Sequence, residues 1–377
     1  MANRRGNTGN PRQVVRGTAA TPYGAGGPSA AAAARSVSAA AAAGPTSDVS
    51  AKTAILFDFD GTLGDTETPA MEVAFWELAP YFTEASAEYL STETMQTYVR
   101  NNAGKAFEFM VDVVEEERKA AGLPPIEDVR KSGGEDAAVT AHVDERRKKF
   151  GLPPLADTRA LNVDILTLQK DETVDALSVL AQPCAQVPEV LETLKGMGVD
   201  FSIATTSGKP RVPVSVLSCG FQEYFPPEKI HSGESDFDPP RFKPDPSVYL
   251  LAAEKTNAKP ENCVAVEDST SGVGSAANAG LGMIVGYVGG SHISQEMEDG
   301  HAGTLMAGGR SENGRGADIV IRDMKDLVRL THFFKTEVVT GDNPPGSEGA
   351  TPFMFPRKSL LNGMSDKFWV NDDRVSD

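Results

Sequence analysis

The chain has 377 residues, 40% apolar and 24% charged, with 36 basic against 53 acidic side chains and a formal charge of −17. Its length supports two or three domains with real cores, and its acidity argues against a nucleic-acid or anionic-membrane binder and for a small-molecule enzyme. Cys184, Cys219 and Cys263 are far apart and lack zinc-type spacing, and no run of roughly 18 apolar residues could span a bilayer, so an intracellular soluble protein without disulfides is expected.

Residues 1–50 carry Arg4, Arg5, Arg12, Arg16 and Arg35 against the single acid Asp48, with alanine tracts and few large apolar side chains. That composition fits a disordered extension or a plastid or mitochondrial transit peptide, the alternative being a cytoplasmic protein. Thr53–Asp60 then reads as a buried strand ending in carboxylates and a Gly-Thr turn. From 70 to 182 the strand signal is lost, and helical stretches such as Pro69–Leu78 and Thr92–Asn101 are separated by Gly/Pro breaks, which predicts an inserted all-helical domain.

Strands and helices alternate again over 183–335. Pro188–Met197 reads as a helix closed by Gly198, Asp200–Thr205 as a strand, Pro246–Lys255 as a helix and Asn262–Val266 as a strand. The small residues of Gly272–Ala279 suit a helix lying close on a sheet, and Leu281–Val288 and Ala317–Ile321 supply two more strands. The expected fold class is α/β, a doubly wound parallel sheet built from 51–69 and 183–335. Residues 336–377 show no periodicity and read as a loose tail, although Phe353, Phe355 and Trp369 could dock. Both termini are expected to be dispensable.

In such sheets ligands lie beyond the carboxyl ends of the strands, and polar clusters occur at each of these ends. Asp58 and Asp60, two residues apart, should face one side and would repel without a cation between them. A hard cation such as Mg²⁺, with Asp268 as a further oxygen ligand, would let one carboxylate attack phosphorus while the other handles a proton. Thr206 and Ser207 begin the loop after the second strand, where hydroxyls and backbone amides suit a phosphate.

The stretch Asp58-Phe-Asp-Gly-Thr-Leu-Gly-Asp65 resembles the first motif of the haloacid dehalogenase-like (HAD) superfamily. Thr205, Lys243 in Phe-Lys-Pro-Asp, and Glu267-Asp268 match its second, third and fourth motifs in order, over roughly 53–70 and 184–330. The resemblance implies a Rossmann-like core with a type C1 helical cap. It assigns Asp58 as nucleophile and metal ligand, and Asp60 as acid/base, with its backbone carbonyl on the metal. Thr205 and Lys243 would bind phosphate, Asp268 would be a direct ligand, and Glu267 a ligand or an orienter of ligands. The cofactor would be Mg²⁺ and the partner a small phosphorylated metabolite, such as a sugar phosphate, with no nucleic acid or membrane involved. The oligomeric state stays open.

Within the family, Asp60 argues against dehalogenases, and Phe59 together with the lack of membrane spans argues against P-type ATPases. The β-phosphoglucomutase-like members share this cap, but they carry a histidine where this chain has Ala70, which favours a phosphatase. A non-catalytic binding protein would be expected to lose a motif residue, and none is lost. Lys209, Arg211 and Lys105 are further candidates to touch substrate, Asp65–Glu67 should link core to cap, and the five histidines (142, 231, 292, 301, 332) form no motif and receive no role.

Overall fold

A computed structural model describes residues 52–102 and 106–377; the transit-like segment 1–50 and Lys105 lie outside the described residues. The central sheet comprises β1 (Ala54–Phe57), β2 (Asp200–Thr205), β3 (Ile230–Ser232), β4 (Cys263–Glu267), β5 (Met283–Tyr287), β6 (Ile319–Ile321) and β7 (Phe368–Val370). Their spatial order is β7-β6-β5-β4-β1-β2-β3. All neighbouring pairs run parallel except β7 with β6. The doubly wound α/β class expected from the sequence is therefore present.

β1 shows why its sequence is apolar throughout. Ile55 and Phe57 belong to one core with Val187, Leu191 and Leu327, while Ala54 and Leu56 belong to another with Val248, Ala252 and Val273. A strand covered by helices on both faces has no solvent side, so its residues cannot alternate apolar with polar. Cys184, Cys219 and Cys263 are buried free thiols that pack as small hydrophobes.

Between Glu67 and Leu180 every described regular element is helical. The chain enters and leaves this region through a two-residue antiparallel ribbon, Gly64 opposite Pro183 and Asp65 opposite Gln182. The helices close over two apolar clusters, one around Phe75, Trp76 and Val143, the other around Met71, Leu78 and Met110. Between them Arg147, fully buried, pairs with Glu77 at 3.1 Å and with Glu172, and donates to the Pro153 carbonyl at 2.9 Å. A buried guanidinium needs such partners, because desolvating an unpaired charge is strongly unfavourable.

The expectation of a loose tail over 336–377 is corrected. β7 closes the sheet edge beside β6, Phe355 is fully buried among the rings of Phe333 and Phe353, and Arg374 pairs with Asp318 at 2.8 Å. A three-residue antiparallel strand is too short to show periodicity, which is why the sequence concealed it. Among the described residues no helix is long and apolar enough to cross a membrane.

Candidate active site

Parallel strands align their carboxyl ends on one edge, and chain order reverses at β1, whose neighbours are β2 and β4. A crevice opens at such a reversal. Asp58 follows β1 directly, with its N–H donating to the Val266 carbonyl at 3.0 Å. Thr205 is the last residue of β2 and Glu267 the last of β4, with Asp268 next. Because β1 ends at Phe57, Asp58 and Asp60 sit on the following turn, not on the strand. They nevertheless line one cavity of about 630 Å³ with Thr205, Thr206, Ser207, Lys243 and Asp268.

That turn depends on Gly61. Its φ of +79° is a region side chains rarely adopt, and a Cβ there would lie 2.3 Å from Asp268 Oδ2. Gly272 serves the same closeness from the other side. A Cβ would fall 1.8 Å from Glu267 Oε2, so only glycine lets the helix Thr270–Asn278 approach β4. Ser269 caps this helix by accepting from the Gly272 N–H, which leaves a helix N-terminus facing the cavity.

Lys243 Nζ stands 2.5 Å from both Asp58 Oδ1 and Glu267 Oε1, and Tyr249 donates to the same glutamate oxygen at 2.5 Å. Burial pushes Asp58 well above the usual carboxylate range, and the nearby Lys243 cation only partly opposes it. Burial raises Glu267 likewise. Burial would lower Lys243, but the two carboxylates outweigh it and the ammonium is held charged.

Asp60 has different surroundings. Thr66 Oγ1 donates to Oδ1 at 2.6 Å, Ser207 Oγ to Oδ2 at 2.6 Å and Arg211 Nη2 to Oδ1 at 2.9 Å. Burial alone would raise this carboxyl, yet the guanidinium charge and the hydroxyl donors reverse the sign and lower it. Arg211 also reaches Glu67 at 3.8 Å.

Asp58, Glu267 and Asp268 each offer an oxygen within 4.8 Å of the others, all buried. With Asp60 and Glu67 added, five carboxylates face two fixed cations, Lys243 and Arg211. An all-oxygen donor set with excess negative charge fits a hard divalent ion such as Mg²⁺.

The structure thus brings Asp58, Asp60, Thr205, Thr206, Ser207, Lys243, Glu267 and Asp268 to one place. Among the lesser candidates, Arg211 holds Asp60, and Lys209 pairs with Asp236 at 2.7 Å. Asp65 sits in the two-residue ribbon, whereas Glu67 borders the cavity that holds Asp58 and Asp60.

Two of the five histidines to which the sequence assigned no role contact Asp268. His292 Nε2 lies 3.1 Å from Asp268 Oδ2 and His301 Nε2 2.6 Å from the Asp268 carbonyl. Burial would lower His292, but the aspartate contact raises it. The only signal for His292 was position, since it lies on the loop leaving the carboxyl end of β5.

A family model described as haloacid dehalogenase-like hydrolase matches residues 52–280. Among curated relatives, the "Phosphorylated carbohydrates phosphatase" of Thermotoga maritima is 30% identical over 122 residues, 31% of this chain and 52% of that protein. The "6-phosphogluconate phosphatase" of Escherichia coli is 31% identical over 130 residues, 32% of this chain and 57% of that protein. The chain thus spans about half the length of these relatives. A solved HAD family hydrolase from Deinococcus radiodurans, with bound phosphate and sodium, shares the fold at a TM-score of 0.50 and 21% identity, over 76% of this chain and 97% of that one. With the family model covering more than half of its length, this chain belongs to the haloacid dehalogenase-like hydrolases.

Proposed function

We propose that the chain is a Mg²⁺-dependent phosphatase that hydrolyses a small phosphate ester through an aspartyl-phosphate on Asp58. The observation that carries this reading is the buried cluster of Asp58, Lys243, Glu267 and Asp268 beside a separately held Asp60. A carboxylate oxygen of Asp58 attacks phosphorus, the bond from phosphorus to the ester oxygen breaks, and Asp60 delivers a proton to the departing alcohol. Asp60 then takes a proton from the water that attacks the acyl phosphate, which releases inorganic phosphate and restores Asp58.

Lys243 offsets charge on the nucleophile and the transferring group, Thr205 donates its hydroxyl to a phosphoryl oxygen, and Thr206 and Ser207 frame the same group. Asp58, Asp268, the Asp60 carbonyl and Glu267, or a water that Glu267 orients, would hold Mg²⁺, which would supply Lewis-acid charge neutralisation. The helical region 70–182 acts as a C1-type cap that selects the ester. Ala70 lines an adjacent cavity of about 390 Å³ without offering a titratable group, which supports hydrolysis over mutase transfer. The two curated relatives make a phosphorylated carbohydrate the first substrate class to try.

The test is phosphate release from a panel of phosphorylated carbohydrates and a generic aryl phosphate, with Mg²⁺ and with a chelator. Release that requires Mg²⁺ is expected. No release from any ester would contradict the reading.

A further inference from the structure

His292 lies outside every motif used so far. It stands on the loop after β5, with Nε2 3.1 Å from Asp268 Oδ2. The ring is close against the catalytic turn, since a Cβ on Gly61 would come 2.6 Å from its Cε1. Its other nitrogen, Nδ1, is buried without a hydrogen-bond partner. The neighbouring Ser291 donates to Asp65 Oδ1 at 2.7 Å, which fastens the loop to the ribbon leading into the helical region. From the other side His301 meets the Asp268 backbone carbonyl at 2.6 Å.

Asp268 is therefore held at both its main chain and one carboxylate oxygen. A histidine kept for packing alone has no reason to aim one nitrogen at a carboxylate and leave the other buried and unpaired. A magnesium site selects oxygen donors, so the imidazole is better suited to orient a ligand than to be one.

We propose that His292 is a positioning residue for Asp268: donating Nε2–H to Oδ2 fixes the carboxylate so that its second oxygen is presented to the cation. The proposal rests on the magnesium reading above. In this arrangement His292 does not touch the substrate and acts through Asp268 alone.

The two ring nitrogens can be separated by substitution. The amide nitrogen of glutamine reaches roughly where Nε2 stands, and that of asparagine roughly where Nδ1 stands. His292→Gln should therefore keep the donor to Asp268, and His292→Asn should lose it. The experiment measures the Mg²⁺ dissociation constant by calorimetry, and the melting temperature without metal, for wild type and both variants of the full chain. The expected result is a Gln variant within about 3-fold of wild type and an Asn variant weaker by about 10–100-fold, the range typical of residues that orient metal ligands. The metal-free melting temperatures should stay close together. If the Asn variant does not fold, His292→Leu takes its place in the same comparison. Equal Mg²⁺ affinity in all three proteins would overturn the role of His292 while leaving the metal site standing. Absence of Mg²⁺ binding by the wild type would overturn both.

Discussion

Arg211 Nη2 stands 2.9 Å from Asp60 Oδ1, so a guanidinium from the first residue of the helix Arg211–Ser218 holds the second carboxylate of the turn after β1. The outcome is a divergence between two acids only two residues apart. Burial raises Asp58, whereas at Asp60 burial is overcome by Arg211, Ser207 and Thr66. The shifts do not by themselves assign the roles, since a nucleophile is needed as its carboxylate; a divalent cation on Asp58 would lower it towards that form.

The first consequence concerns Asp60→Asn. The amide keeps the size, and its oxygen can still accept from Thr66 and Arg211 while its NH2 faces the Ser207 hydroxyl, but it cannot exchange a proton, and the metal ligand proposed at this residue is its backbone carbonyl. Turnover should fall by about 10²–10⁴, the usual worth of general acid–base catalysis, while the Mg²⁺ dissociation constant changes little. Steady-state kinetics and calorimetry on the same preparation check both halves.

Lys243→Ala removes the cation between Asp58 and Glu267 and leaves buried carboxylates facing each other. Truncating one partner of a buried pair costs about 3–5 kcal/mol. The metal-free melting temperature should drop, and Mg²⁺ should raise it by more than in wild type, because the metal replaces part of the lost charge. Thermal scans with and without Mg²⁺ read this directly. A variant as stable as wild type without metal would count against the electrostatic account.

His231 supplies a pH dependence away from the cluster of Asp58, Glu267 and Asp268. It lies buried in β3 with Nε2 unpartnered, and burial pushes its pKa down to about 4 from the ordinary value near 6.5. The folded state therefore holds a neutral ring where the unfolded chain takes up a proton. The stability is fully present above pH 6.5 and is lost as pH falls towards 4. Denaturant unfolding of wild type between pH 7 and 5 should show a decline that His231→Gln flattens. Parallel curves for the two proteins would exclude this assignment.

The tail offers a test against the sequence-based expectation of dispensability. Deleting 352–377 removes β7 along with Phe355 and Arg374, which leaves β6 as an unpaired edge and Asp318 without one of its two arginines. The melting temperature should fall by several degrees relative to the full chain. No change would mean that these contacts contribute nothing measurable.

Much of the site was legible because its residues occupy strand ends, where the chemistry is local in sequence. Asp58, Thr205 and Glu267-Asp268 each terminate an apolar run, and their order along the chain maps onto one sheet edge. Contacts that join distant segments were not legible. β3 is three residues long and β7 pairs antiparallel from far downstream, so neither shows a period. Arg211 looked like a loop cation, and His292 like an isolated histidine, because nothing local says that they face Asp60 and Asp268. The alternation argument placed Asp58 and Asp60 along one strand, whereas both belong to a turn fixed by Gly61 and not to β1.

The central claim is covalent catalysis by Asp58, and the most direct measurement compares Asp58→Asn with wild type in saturating Mg²⁺. Both are mixed with a phosphate ester that the wild type hydrolyses, quenched in acid within the first turnover and examined by peptide mass spectrometry. Phosphoryl mass on the peptide containing Asp58 is expected for wild type. For the variant, which folds but presents an amide in place of the anionic nucleophile, neither this adduct nor phosphate release is expected. Near-normal phosphate release by Asp58→Asn would contradict the account.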